Sequence, residues 1–381
     1  MNDREFSITL TEPFEAFLAC LSMPGASIMD EETTEAAGDR FGKEAKSTIG
    51  TGSYIITEWT PGDMMILAAN PNCWEGAPNN DGLRLLFTTE QEAIRALFDE
   101  GKLDVMNLDD IDSSAEFYIH GDIYQDRLYR VNRVAINYIA LNETVEPLQD
   151  VNVRKALQYA LNRQTLLDAI YNGAGEVENG IYPHGLYGFN PDLEEIPFDV
   201  EQAKDLLAQA GYPDGFDLTI RMRSSSTEWE VTMMRLVAAM WEKIGVHAKI
   251  KVLSEEEFMK LRTSGRIECY EATWTADYND PDNFIYTFFG SPENTKFRSL
   301  CYPKKDVMKR VRRARAITND VRRLEEYRNL EKKIVQEDAA WIPLFSRAYL
   351  YVTSERVENL ETSWNGSVKN RYRDIRLSET P

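Results

Sequence analysis

The sequence predicts a mixed α/β protein of more than one domain. Three observations lead there. The chain has 381 residues, more than one ordinary hydrophobic core organises. Between Phe216 and Thr273, stretches that alternate apolar and polar residues exchange with stretches of helical spacing. Capping residues and glycines punctuate that exchange at the element boundaries.

The first part, residues 1–141, reads as mixed. Phe6-Ser7-Ile8-Thr9-Leu10 alternates and is expected as a strand, so the chain starts inside a strand pattern. Ser53 to Trp59 reads as a strand, Thr60-Pro61-Gly62-Asp63 as a turn, and Met64 to Ala69 as the returning strand. Ala93, Ile94, Leu97 and Phe98 share one helical face in Thr89–Glu100, and Gly101 stops that helix. Val131 to Leu141 reads as one long apolar strand.

Residues 142–342 are more regular. Val153, Ala156, Leu157, Ala160 and Leu161 line one helical face. Asp199 with Gln202 forms a capping box for a helix that ends before Gly211. Phe216, Leu218, Ile220 and Met222 alternate as a strand. Thr227 with Glu230 caps the next helix, and Gly245 stops it. Val246, Ala248, Ile250 and Val252 alternate again, Ser254 with Glu257 caps a further helix, and Glu268 to Thr273 reads as a strand. Strand–helix–strand–helix–strand implies an α/β sheet with helices packed on it. Two helices follow over 304–338, then a strand at Tyr349–Thr353.

Composition narrows the function. Net charge is −20 and the pI about 4.7, so most of the surface repels nucleic acid and anionic membranes. Between 304 and 333 there are twelve Lys or Arg against five Asp or Glu, including Lys309-Arg310-Val311-Arg312-Arg313-Ala314-Arg315. In so acidic a chain this reads as a solvated helix face. Cys20, Cys73, Cys269 and Cys301 are scattered and form no CxxC pair. His120, His184 and His247 are isolated, so neither a metal site nor a catalytic histidine is expected. Gly50-Thr51-Gly52 precedes a strand and lacks a following Lys-Ser/Thr, so it is no phosphate loop. No run of about 18 apolar residues offers a membrane span. No catalytic residue and no cofactor is assigned.

The most informative run is Trp274-Thr275-Ala276-Asp277-Tyr278-Asn279-Asp280-Pro281-Asp282-Asn283-Phe284. It puts aromatic, acidic and amide side chains around an Asp-Pro turn, where a strand ends. Such a loop suits a ligand with a positive amine and an apolar body: a carboxylate pairs the amine and the rings bury the rest. The same residue types also build an ordinary acidic surface turn. Asp280 and Asp282 alone are too weak a signal for glycosidic chemistry.

Several motifs together resemble one family. Gly50-Thr51-Gly52-Ser53-Tyr54, Glu58-Trp59-Thr60-Pro61-Gly62-Asp63 and Asn70-Pro71-Asn72-Cys73-Trp74 resemble the solute-binding proteins of oligopeptide and dipeptide ABC importers, solute-binding family 5. So do Asp150 to Leu157 with Leu161-Asn162-Arg163, Ala203 to Leu207 with Ala210 to Phe216, the run at 274–284, and Glu337 to Leu344, all in the family's order.

The resemblance implies a two-lobe α/β fold of the periplasmic-binding-protein type (type II). Lobe I would comprise 1–141 and 343–381, lobe II 142–342, with hinge crossings near Asn142 and Pro343. It further implies that lobe I is incomplete at its N-terminus and that a signal segment is absent from this chain. The implied function is capture of a peptide in an interlobe cleft outside the cytoplasm, in the periplasm or at a lipid-anchored surface, by a monomer that delivers it to ABC permease subunits. No reaction is implied. Asp277 would pair the ligand amine and Trp274 would line a side-chain pocket, with Tyr278, Asn279 and Asn283 completing the ligand contacts. Glu271 stands where some oligopeptide binders carry a basic residue. Two other readings stay open: a binder of a nickel chelate, haem or another small solute within the same family, and a secreted hydrolase using the acidic loop.

Overall fold

A computed structural model describes residues 5–108, 115–369 and 371–378. Its strands are β1 (Tyr54–Thr60), β2 (Met64–Ala69), β3 (Gly82–Leu86), β4 (Val105–Asn107), β5 (Leu128–Asn132), β6 (Ala135–Leu141), β7 (Gly175–Val177), β8 (Phe216–Arg223), β9 (Val246–Leu253), β10 (Cys269–Thr275) and β11 (Trp341–Thr353). The chain divides into two units, Met1–Met23 with Arg133–Arg347, and Pro24–Asn132 with Ala348–Pro381. The expected crossings at Asn142 and Pro343 both lie inside the first of these units.

In the second unit, β1, β2 and β3 form an antiparallel meander. The Pro61-Gly62 turn closes the first hairpin, with Gly62 at a φ of 77°, a conformation in which a side chain would be strained. A separate ladder pairs the last part of β11 with β4 and β5.

The first unit is built on a mixed sheet. β6 lies between the first part of β11 and β10, both antiparallel to it. β8 pairs in parallel with β10 on one side and β9 on the other. The strand–helix–strand order read from 216–275 is therefore present, with helices Glu228–Glu242 and Glu255–Thr263 as crossovers. Apolar clusters cover both sheet faces. One gathers Ile139, Leu157, Met234, Val237 and Trp241. The other gathers Tyr138, Tyr270, Phe284, Phe288 and Trp341.

Two arginines from the family-like signatures turn out to be fasteners of this unit. Arg154 is buried, ion-paired to Glu143 at 3.1 Å, and donates to the carbonyls of Leu148, Gln149, Asp338 and Ala339. Arg163 is buried and donates to the carbonyls of Glu178 and Ile196 and to Asn179 Oδ1. A fixed guanidinium fork satisfies several carbonyls at once, which a loop crossing a core needs.

The capping signals mostly hold. Thr227 and Glu230 make a reciprocal capping box, and Ser254 Oγ accepts the Glu257 N–H at 3.2 Å. Asp199 makes only half of the expected box. Its carboxylate accepts the Gln202 N–H at 2.9 Å, while its own N–H donates to the Tyr159 carbonyl and leaves Gln202 nothing to receive.

Three strand expectations are corrected. Residues 5–10 form no strand: Phe6 and Ile8 are exposed and find no ladder partner among the described residues. The apolar run from Val131 to Leu141 is two strands, β5 and β6, broken at Arg133-Val134, because its two halves pair with different parts of β11. The strand expected at Tyr349 begins earlier, at Trp341, and includes Pro343, where the register with β6 shifts between Pro343 and Phe345.

Candidate functional site

Strand β10 ends in register with β6, Trp274 opposite Ile136 and Thr275 opposite Ala135. The Ala276 N–H still donates to the Val134 carbonyl at 2.9 Å, and then the chain leaves the ladder. Asp277 is the next residue, and it is exposed. Asp280-Pro281 turns the chain, and Pro281 precedes the helix Asp282–Phe289. The loop is thus strung between a rigid strand end and a rigid helix start, as binding loops commonly are.

Asn283, on the first turn of that helix, organises the exposed side of the loop. Its Oδ1 accepts the Trp274 indole N–H at 3.2 Å and the Asp277 backbone N–H at 3.0 Å. Its Nδ2 donates to Asp277 Oδ2 at 3.1 Å. One carboxylate oxygen of Asp277 is thereby fixed, and Oδ1 has no hydrogen-bond partner among the described residues. A carboxylate held in this way is preorganised to accept an amine.

The inner side of the loop is a charged network under the turn. Arg323 donates to both carboxylate oxygens of Asp280, at 2.9 and 2.8 Å, and to Asp320 at 3.1 Å. Asp282 is ion-paired to Arg315 at 2.9 Å and accepts the hydroxyls of Tyr278 at 3.0 Å and Tyr327 at 3.2 Å. Burial pushes both the Asp280 and the Asp282 carboxyl groups above the ordinary range, against the pull of their arginines. These acids therefore hold the turn in place. Of the basic run at 309–315, Arg310 pairs with Glu326 at 2.8 Å and Arg315 with Asp282, so part of the patch is spent on internal ion pairs.

The predicted contact residues divide accordingly. Asp277 is exposed and Trp274 half-buried, its ring edge-on to Phe288 at 5.4 Å. Tyr278, expected as a pocket wall, turns inward instead: it is 9% exposed and its hydroxyl is committed to Asp282. The apolar interior and a buried acceptor outcompete solvent for that ring. Asn283 is buried and acts through Asp277 and Trp274. Asn279 is half-buried, and its side-chain oxygen accepts the Tyr187 N–H at 2.7 Å, which pins the neighbouring loop.

Two polar features were not visible in the sequence pattern. Arg298 lays its guanidinium over Trp274, 4.6 Å from the ring centre, and over Phe288 and Phe297. Nothing in Lys296-Phe297-Arg298 advertises it, since the rings it covers come from three different segments. Glu271, in mid-strand, is buried and accepts the Asn137 amide at 3.2 Å; the same amide reaches Thr273 Oγ1 at 2.7 Å. Burial, joined by repulsion from Glu230, pushes the Glu271 carboxyl up to about 8, against the Asn137 bond and the charges of Arg223 and Arg347. Among the described residues no group of three or more His, Cys, Asp or Glu could hold a metal ion.

This mixed α/β fold is the one seen in periplasmic binding proteins. The chain belongs to the bacterial extracellular solute-binding proteins, family 5, whose middle-region model matches residues 1–296. It is 29% identical over 350 residues to the dipeptide-binding protein of Escherichia coli, covering 89% of this chain and 64% of that one. It is 26% identical to heme-binding protein A of Haemophilus influenzae, covering 94% of this chain and 66% of that one. The chain thus spans just under two thirds of the length of these relatives. Among solved structures, a putative peptide-binding protein AppA from Clostridium difficile superposes with a TM-score of 0.84 at 20% identity, covering 97% of this chain and 76% of that one. That likeness establishes the fold.

Proposed function

We propose that this chain is the solute-binding component of an ABC importer and that its ligand is a short peptide with a free α-amine. The carrying observation is the Asp277 carboxylate. Asn283 holds one of its oxygens, the other is open, and Trp274 stands beside it on the same asparagine. An ammonium group has three donors and a compact charge, and an open carboxylate oxygen on an organised loop is its natural acceptor. The indole offers apolar contact to the side chain next to that amine. The names of relatives from the same family, which include dipeptide-binding proteins, support a peptide as the solute. The site works outside the cytoplasm and hands its cargo to permease subunits without chemical change. The buried acids of the turn, each tied to an arginine, hold the loop and are not the poised pair a hydrolase needs.

Native mass spectrometry of gently purified protein tests this. The expected result is an adduct of peptide mass that denaturation releases intact. Cleaved peptide after incubation, or no adduct and no calorimetric binding across a di- and tripeptide mixture, would refute the proposal.

A further inference from the structure

The helix Lys305–Ala314 carries opposite chemistry on its two faces. Val307, Met308, Val311 and Ala314 are buried in the cluster that also holds Phe288 and Trp341. Lys305, Lys309, Arg312 and Arg313 are exposed. Their spacing of i, i+4, i+7 and i+8 is that of one helical stripe, about 12 Å long at 1.5 Å per residue. Lys304, exposed at the N-cap position, adds a fifth charge at that end. Over 304–315 there are seven Lys or Arg and a single acid, Asp306, in a chain of net charge −20. Arg310 and Arg315 are ion-paired to Glu326 and Asp282, and the other five cations have no ion-pair partner among the described residues. Arg312 acts on Glu293, but that carboxylate is drawn first to its own amide and to Ser291.

Like charges four residues apart destabilise a helix, and Lys305 with Lys309 and Lys309 with Arg313 are such pairs. Acids are in surplus throughout the chain, yet none among the described residues neutralises this row. An extended anionic plane fits it. The cations stand on long flexible stems along one side of a single helix, and such stems adapt to mobile phosphates without presenting a fixed shape. The helix has no apolar face left to insert, since that face is committed to the core, so the contact is electrostatic. Screening limits the opposing charge: at a Debye length of about 8 Å, acids on the far side of the protein act weakly on a surface that touches the stripe. For a chain of an extracellular family, the extended anionic surface at hand is the phospholipid bilayer.

We propose that the stripe of Lys305, Lys309, Arg312 and Arg313 docks this protein, reversibly and by charge alone, on an anionic phospholipid bilayer. The acidic remainder of the chain is repelled by the same bilayer, so docking through the stripe fixes which face of the first unit meets the membrane. This goes beyond the peptide reading and does not depend on it.

The test is co-sedimentation with vesicles of equal parts phosphatidylglycerol and phosphatidylcholine, and with vesicles of phosphatidylcholine alone, at low salt. Two triple variants accompany the unaltered protein. One is Lys309→Gln, Arg312→Gln and Arg313→Gln. The other, Lys243→Gln, Lys251→Gln and Lys260→Gln, removes the same charge from exposed positions elsewhere in the unit. The unaltered protein should bind the anionic vesicles and not the neutral ones, and about 1 M salt, where the Debye length is about 3 Å, should release it. The stripe variant should bind about tenfold more weakly or worse, and the control variant within about twofold of the unaltered protein. All the altered positions are exposed, so the three proteins should share one melting temperature. No preference for anionic over neutral vesicles overturns the proposal. So does anionic binding that the stripe variant retains, or that both variants lose equally. Capture by immobilised polyglutamate without vesicle binding would assign the stripe to an acidic protein partner and likewise overturn the lipid assignment.

Discussion

Asn283 grips Asp277 at two points: its Oδ1 accepts the Asp277 N–H at 3.0 Å, and its Nδ2 donates to Asp277 Oδ2 at 3.1 Å. Asn283 Oδ1 also accepts the Trp274 indole N–H. A buried helix residue thus sets the position of an exposed acid and of the ring beside it. Replacing Asn283 by Ala should leave the indole N–H unpaired and Asp277 free to rotate. We expect a stability loss of about 1–3 kcal/mol and weaker binding of every peptide alike. Denaturation midpoints and calorimetric Kd values check both; an unchanged Kd would show that the clamp is irrelevant to the ligand.

Trp274 should act on ligand size. Its ring is half-buried, so Trp274→Ala removes apolar contact area from the ligand side and part of the Phe288 packing. Peptides with a bulky side chain should lose more affinity than small ones. Equal loss for all sizes together with a large drop in Tm would mark the ring as core only.

The turn itself depends on a buried ion pair. Arg323 and Asp280 are both nearly inaccessible and joined by two short contacts. Asp280→Asn should leave a buried guanidinium with only Asp320, and cost about 3 kcal/mol or more. Chemical denaturation measures this directly. A loss under about 1 kcal/mol would mean that the turn reorganises around Asp320. Thr227→Ala makes a useful contrast: it removes a helix cap in the same unit, should cost about 1 kcal/mol, and should leave peptide affinity unchanged.

Glu271 predicts a pH dependence. Its folded-state carboxyl titrates at about 8, whereas in the unfolded chain it titrates at the ordinary glutamate value. The folded protein therefore binds this proton more tightly. The contribution is fully present below the unfolded pKa and is lost as pH rises through about 8. Glu271→Gln imitates the protonated form and should cancel the loss. We expect the variant to match the unaltered protein near pH 4 and to melt several degrees higher near pH 9, about 2–4 °C for each kcal/mol recovered. Parallel Tm curves across that range would show that Glu271 ionises freely.

Much of the fold was legible because local signals and tertiary structure agree in the first unit. Thr227 with Glu230, Ser254 with Glu257, and the alternation in 216–222 and 246–252 each specify their element without outside help. The failures come where a distant partner decides. Phe6–Leu10 alternates but forms no strand, and the mostly apolar run Val131–Leu141 splits between two ladders. At the site, the strand end that positions Trp274 and Asp277 was readable from the run before it. The inward turn of Tyr278 was not readable, because Asp282, four residues on, accepts its hydroxyl inside the turn. Arg298 was unreadable: its role arises from rings contributed by β10, by the helix Asp282–Phe289 and by its own neighbour, which only the fold brings together.

The proposed function depends on the Asp277 carboxylate receiving the ligand's amine. Calorimetric titration of Asp277→Asn with a dipeptide that binds the unaltered protein tests it most directly. The asparagine can still accept from Asn283 Nδ2, so the loop should keep its shape and the protein its Tm. The expected result is a loss of more than about tenfold in affinity for the free peptide, with no further loss on N-acetylation. Unaltered affinity in a folded Asp277→Asn protein would contradict it.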